Sequence, residues 1–255
     1  QDKHKDELSR LSGSMDHMAD TIEHLMDQQK TQEKKKRELE LQMLQYQLNP
    51  HFLFNTLNSL RFVAAMHKDQ IVSDGIQALS SLLQNTLTNK NEYITIQEEL
   101  ENLENYFSIL RIRYAGSFEY SFHVEEDELL SCLVPKLILQ PLAENAILHA
   151  VPLPDEKVHI HVSIRENGDC LLLSVQDISK GMSPETLEIL RKQINAPRQP
   201  DKQDSGYGLY NVNERIRIFY GPDFGLNIDS DPDIGTEITL KIPKLERGEP
   251  YVPSN

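Results

Sequence analysis

With 255 residues the chain is long enough for one large domain or two modest ones, and its formal charge of -14, from 40 acidic against 26 basic residues, excludes a general affinity for nucleic acid or anionic membrane. Its two cysteines, Cys132 and Cys170, lie far apart with no CxxC or Cys/His metal spacing, which fits a reducing, cytosolic setting. No stretch approaches the roughly 20 apolar residues that span a bilayer, the polar N-terminus does not read as a signal peptide, and the start without Met inside a helical pattern predicts a piece of something longer.

From Leu8 the apolar residues Leu8, Leu11, Met15, Met18, Ile22 and Leu25 recur at alternating steps of three and four, the seam of a parallel coiled coil. A single amphipathic helix packed on its own domain is the alternative. Over 27–38 the seam positions fall to Gln29, Gln32 and Lys36 with no Gly or Pro to end the helix. That segment reads either as a weakened register coupling two helical modules or as a solvated charged helix. Apolar spacing resumes at Leu41, Leu44 and Leu48 and continues through Phe52, Leu53, Leu57, Leu60 and Val63, predicting one long helix that ends near His67 and Asp69. Helices follow over 71–88 and 97–114, joined by the connector NKNEYITI, so the first half is all helical.

After Gly116 the period changes. Phe118, Tyr120, Phe122 and Val124 alternate, as do Val158, Ile160, Val162 and Ile164, and then Leu171, Leu173 and Val175; period two predicts strands. Helical segments near 137–150, 184–194 and 208–219 lie between them, and closing strands fit 225–230 and 235–242. Strands and helices in this order predict a two-layer α/β sandwich, with a boundary near 115.

His51 stands in QLNPHFLFNTLNSL. An interior Pro costs a helix about 3 kcal/mol, so Pro50 either kinks a continuous helix or occupies the first position of a new one capped by Asn49, and both place His51 at a bend. Taken by itself, a His between Pro and Phe on an apolar helix reads as a packed residue before it reads as a nucleophile. No Asp or Glu occurs between Leu41 and Lys68, so any acid or base acting on His51 comes from elsewhere. Gln47 and Asn55 lie one turn before and after it, where an amide hydrogen-bonded to a ring nitrogen would fix the tautomer.

Four further pieces follow in the second half. VPKLILQPLAENAILHA offers Glu144, Asn145 and His149 on an apolar helix, where buried polar groups need partners. Asn145 as a Mg²⁺ ligand beside phosphate oxygens, with Glu144 as base or water-holder, is chemically sensible, and a structural role is the alternative. Asp177 ends an apolar strand, where a carboxylate accepts a hydrogen bond from an amino group such as that of adenine. Ser205-Gly-Tyr-Gly-Leu-Tyr opens a helix whose glycines let backbone N–H groups approach phosphate. Gly235-Thr236 opens the last strand, or is only a turn.

Together these pieces resemble the LytS/YesM-like branch of the sensor histidine kinases. QYQLNPHFLFNTLN resembles that branch's phosphoacceptor motif, VPKLILQPLAENAILH its N box, GYGLYNVNERI its second glycine box and GTEITLKIP its last; DELSRLSGSMDHM is similar to the second helix of a HAMP module, with Ser9 where Gly is frequent. The resemblance implies residues 1–26 as a HAMP-like helix, 27–40 as a linker, 41–115 as dimerisation and phosphotransfer helices, and 116–250 as a Bergerat-type ATP-binding sandwich. It implies His51 as phosphoacceptor with Asn55 beside it, Glu144 as polarising base and Asn145 as Mg²⁺ ligand. Asp177 becomes the adenine-binding acid, with His149, Gly181, Gly206, Gly208, Leu209 and Thr236 around the nucleotide and 182–205 as its lid. ATP and Mg²⁺ are the implied substrate and cofactor. The implied partners are a second copy of the chain, a response-regulator receiver domain and a membrane reached through a missing N-terminal transmembrane sensor, which places the chain on the cytoplasmic side of a bacterial membrane. Two positions depart from the family: Asp177-Ile178-Ser179-Lys180-Gly181 stands where Asp-Asn-Gly-x-Gly is usual, and Leu148 where a Lys is frequent. The rival from another class is a signalling scaffold that binds nucleotide weakly, and a Bergerat-type ATPase unrelated to histidine transfer leaves Asn-Pro-His-Phe unexplained.

Overall fold

The computed structural model describes residues 29, 32, 50–87, 91–150, 157–195 and 207–246. The expected coiled-coil seam, residues 41–49 with Gln47, the last part of the lid (196–205) and Gly206 lie outside them; Gln29 and Gln32 are helical and exposed. The chain divides into two compact units, Gln1–Asn55 and Thr56–Asn255.

Helix α1 (Pro50–Met66) ends where the sequence predicts, and Lys68 takes a left-handed φ of 58° to turn the chain. Asp69 then caps α2 (Gln70–Leu87) by accepting from the Val72 amide at 3.1 Å. Within the connector expected after α2, Tyr93–Thr95 forms a short strand, β1, paired antiparallel with β3 (Leu133–Pro135). Three-residue strands are too short to show a period, so neither was visible in the sequence. Thr95 closes β1 and starts α3 (Ile96–Arg113) with a capping box: the Glu98 amide donates to Thr95 Oγ1 at 3.2 Å and the Thr95 amide donates to Glu98 Oε2 at 2.8 Å.

The expected sandwich is present. Strand β2 (Phe118–Val124) is parallel to β4 (Val158–Asn167), which pairs antiparallel with β5 (Cys170–Ile178); β7 (Gly235–Pro243) pairs with β5, and β6 (Gly225–Asp231) closes the edge. The sheet order is therefore β2-β4-β5-β7-β6. Helices α4 (Gln140–Ala150), α5 (Pro184–Asn195) and α6 (Tyr207–Tyr220) bury apolar faces in one continuous core with the sheet.

Helix α3 belongs to that core as well. Ile96, Leu103, Phe107 and Leu110 recur at helical spacing and are buried in it. The Phe107 ring stacks on Tyr120 with centroids 4.6 Å apart and meets Phe118 edge-on at 5.9 Å. The helix preceding the predicted boundary thus covers the inner face of the first sandwich strand.

Candidate nucleotide and phosphoacceptor sites

Alternation along β5 builds the first site. Leu171, Leu173 and Val175 face the helices, and Asp177 follows them on the same face, only 3% exposed, while Ile178 points the other way and is 58% exposed. The departure at Ile178 therefore removes nothing from the face that holds Asp177. Ser179, in the same stretch, supplies something: its Oγ donates to Asp177 Oδ1, a contact glycine cannot make. Thr236, directly across on β7, gives the carboxylate its backbone N–H. Burial raises the Asp177 pKa, and the Ser179 hydroxyl, the Thr236 amide and nearby His149 pull it back down.

Close backbone packing fixes the rest of this corner. Gly181 has φ 62° and a Cβ there would stand 2.0 Å from the Asp231 carbonyl oxygen; Gly235 has φ 135° and a Cβ would stand 2.0 Å from the Asp177 carbonyl oxygen. Ser230 Oγ donates to the Gly235 carbonyl at 2.9 Å, lies 3.0 Å from Thr236 Oγ1 and accepts from the Met182 amide at 2.9 Å. The loop after β5 is thereby laced to the β6–β7 turn, with Asp177 and Thr236 at its centre.

Helix α4 carries Glu144, exposed, Asn145, half-buried, and His149, exposed. Tyr106 of α3 lies near Glu144, and its hydroxyl pKa is pushed up to about 12, by burial first and by the Glu144 charge second. Leu148 is 58% exposed, so replacing the family's Lys leaves an apolar side chain in solvent. On α6, Leu209 packs in the core, whereas a Cβ on Gly208 would meet Pro141 at an ordinary 3.7 Å, so the fold itself does not demand glycine there. Among the described residues no group of three or more His, Cys, Asp and Glu is placed to hold a metal ion. The one amide oxygen of Asn145 suits Mg²⁺, which is commonly held by one or two protein oxygens together with substrate phosphates.

The unit Gln1–Asn55 carries His51, exposed on α1. Asn55 Nδ2 lies 3.3 Å from His51 Nδ1 and 3.3 Å from Nε2, the contact expected from their one-turn spacing. At equal distances the amide singles out neither nitrogen, and its role as donor or acceptor follows the tautomer of the ring.

One residue packed beside the start of α4 escaped the sequence reading. Glu99 is 1% exposed and its carboxylate accepts the amides of Leu137 and Leu139, both at 2.8 Å, just before α4. Its signal was present: Ile96, Glu99, Leu103, Phe107 and Leu110 share the apolar register, so a carboxylate stands at a core position.

Comparison with known proteins assigns both halves. Residues 39–118 match the family model described as histidine kinase, and residues 134–246 match that of the histidine kinase-, DNA gyrase B- and HSP90-like ATPases. The chain is 34% identical over 239 residues to the sensor histidine kinase YesM of Bacillus subtilis, covering 94% of this chain and 39% of that protein. It is 32% identical over 213 residues to the sensor protein LytS of Bacillus anthracis, covering 84% and 35%, and 30% identical over 204 residues to the sensor histidine kinase BtsS of Escherichia coli, covering 80% and 33%. The chain thus spans well under half the length of these relatives.

Proposed function

The chain belongs to the sensor histidine kinases, and from that premise we propose that it uses ATP to phosphorylate His51 and then passes the phosphoryl group to an Asp of a response-regulator receiver domain. The observation that carries this reading is the buried Asp177, held by Ser179 and the Thr236 amide on the helix-facing side of β5. A carboxylate oriented in this way accepts from the adenine amino group. Asn145 on α4 and Gly208 in the first turn of α6, with Gly206 just before it in the sequence, then receive the phosphates, and Glu144 on α4 acts as the polarising base. Mg²⁺ would be held by Asn145 together with the phosphates and would neutralise charge on the transferring group.

In the first step a lone pair of a His51 ring nitrogen forms the N–P bond while the bond from the γ-phosphorus to the β,γ-bridging oxygen breaks and ADP leaves. In the second, a receiver carboxylate takes the phosphoryl group and the N–P bond breaks. Since phosphoryl transfer leaves little covalent work to the protein, positioning is the chain's main contribution, and Asn55 contributes by holding the His51 ring against its own helix.

Within this reading residues 1–26 form a HAMP-like helix, 27–40 a linker, 41–115 the dimerisation and phosphotransfer region and 116–250 the ATP-binding domain. The chain pairs with a second copy and is anchored by a transmembrane sensor outside the sequence given; no helix among the described residues is long and apolar enough to cross a membrane. Incubation with labelled ATP and Mg²⁺ tests the activity. The expected outcome is acid-labile, alkali-stable label on the chain and none on His51→Gln; a folded dimer that takes no label overturns the kinase reading in favour of a nucleotide-binding scaffold.

A further inference from the structure

The fully buried carboxylate of Glu99 sits where three elements meet. It lies in the first turn of α3, whose N-terminal dipole favours negative charge there. Its two oxygens divide between two amides of the turn entering α4: Oε2 accepts from Leu137 and Oε1 from Leu139, each at 2.8 Å. Leu137 is left-handed, with φ 58°, a conformation that a bulky L-residue keeps only when its surroundings enforce it. From the other side, Arg215 of α6 acts electrostatically on Glu99 and donates from Nη1 to the Lys136 carbonyl at 3.1 Å. The same turn is anchored backwards by the Lys136 amide on the Glu92 carbonyl at 3.0 Å. The carboxylate thus anchors α3 to the turn that sets the start of α4, and Arg215 ties the helix that follows the glycine box to the same turn.

We propose that Glu99 is a positioning residue for the nucleotide site: its carboxylate holds the 136–139 turn and so fixes α4 and α6, the two helices that present Asn145 and Gly208 to the phosphates. The inference rests on the kinase reading above and extends it to a residue that touches neither nucleotide nor His51. Burying a charge is costly, and a core stripe position filled by Leu would cost nothing of the kind. A residue retained there at such a cost, with both oxygens engaged, is explained by the geometry it enforces. Burial pushes the Glu99 pKa up to about 7, opposed by the Leu139, Leu137 and Ile138 amides and by Arg215. Arg215 is the charged side chain that acts on it, and Glu98, on the same helix, is engaged with Thr95. Protonation turns one oxygen from acceptor into donor against an amide that also donates, so the grip on the turn loosens as pH falls through about 7.

The sign of the linkage separates this effect from unfolding. A carboxyl whose folded pKa of about 7 exceeds its ordinary 4.5 contributes stability that is fully present below 4.5 and is lost as pH rises through about 7. Acid therefore strengthens the fold through Glu99 while it relaxes the turn, and a loss of nucleotide affinity over that range does not come from unfolding at this group.

The test measures Mg·ATP affinity of the 255-residue chain and of Glu99→Gln between pH 6 and 8.5, with autophosphorylation rates at saturating ATP. The expected result is about tenfold weaker binding for Glu99→Gln at pH 8, the size of one charge-assisted hydrogen bond, with the saturated rate within about threefold. The wild type loses affinity on acidification more steeply than the variant, and because the titration of ATP itself is common to both, the difference belongs to Glu99. Equal affinities, or parallel pH profiles, overturn the role of Glu99 while leaving the kinase reading intact; a wild type that binds no nucleotide at any pH overturns both. If Glu99→Gln does not fold, amide exchange of the wild type decides. Protection of the Leu137 and Leu139 amides, corrected for intrinsic rate, is expected to fall together with ATP affinity below pH 7, and protection that falls with affinity unchanged overturns the proposal.

Discussion

At the scale of single residues, the corner proposed to hold adenine turns on a hydroxyl that the family's usual motif lacks. Ser179 Oγ satisfies one oxygen of a carboxylate that burial drives toward its neutral form, and a neutral Asp177 would offer a poorer acceptor to an amino group. Ser179→Ala removes that contact and leaves Thr236 and His149 to hold the charge, so the KM for ATP is expected to rise by about three- to tenfold with kcat unchanged, as befits loss of one hydrogen bond to a charged group. Steady-state autophosphorylation across ATP concentrations measures it, and an unchanged KM removes Ser179 from the binding machinery. Asp177 itself was legible because it ends an apolar strand, as was the pairing of His51 with Asn55, which follows from spacing on a helix. The outward turn of Ile178 follows from the same alternation, but the contact of Ser179 was not legible, because that residue lies beyond the strand, where period two no longer places a side chain.

At the scale of elements, period revealed type but not location. The switch from a helical to a two-residue period near Gly116 marks where strands begin, and apart from the three-residue β3 and a short 3-10 helix at Asp127–Ser131 the strands and helices from β2 onward fall where that pattern puts them. It carries no information on which layer an element joins. Helix α3 reads as the last of the helical half, yet its Phe107 is fully buried against Phe118, Tyr120 and Phe122. Truncating such a side chain forfeits its burial and leaves a cavity, so Phe107→Ala is expected to destabilise the sandwich by about 3–5 kcal/mol. Urea unfolding followed by tyrosine fluorescence, with ATP absent, measures this loss. A destabilisation below about 1 kcal/mol would mean that α3 is an appendage to the sandwich rather than a part of its core. The β1–β3 pair reinforces the same junction, since it ties the start of α3 to the strand that leads into the Glu99-held turn.

At the scale of the whole molecule, the hairpin of α1 and α2 exposes more apolar surface than a lone soluble helix pair would keep. Leu60, Phe62, Val63, Met66 and Ile71 are each at least half exposed, and none of them enters the sandwich core. A second copy of the chain is the proposed cover. With a formal charge of -14 on each chain, two copies repel at long range, so an association driven by apolar burial is expected to tighten as salt screens that repulsion, opposite to the behaviour of a nucleic-acid binder. Leu60→Glu together with Val63→Glu places two more negative charges on the exposed face of α1 without touching the sandwich. The double variant is expected to sediment as a monomer where the wild type sediments as a dimer, and to keep wild-type affinity for Mg·ATP, because Asp177, Asn145 and Glu99 all lie in elements packed on the sheet. A double variant that stays dimeric moves the interface off this face, and one that loses nucleotide binding as well shows that the ATP site depends on pairing.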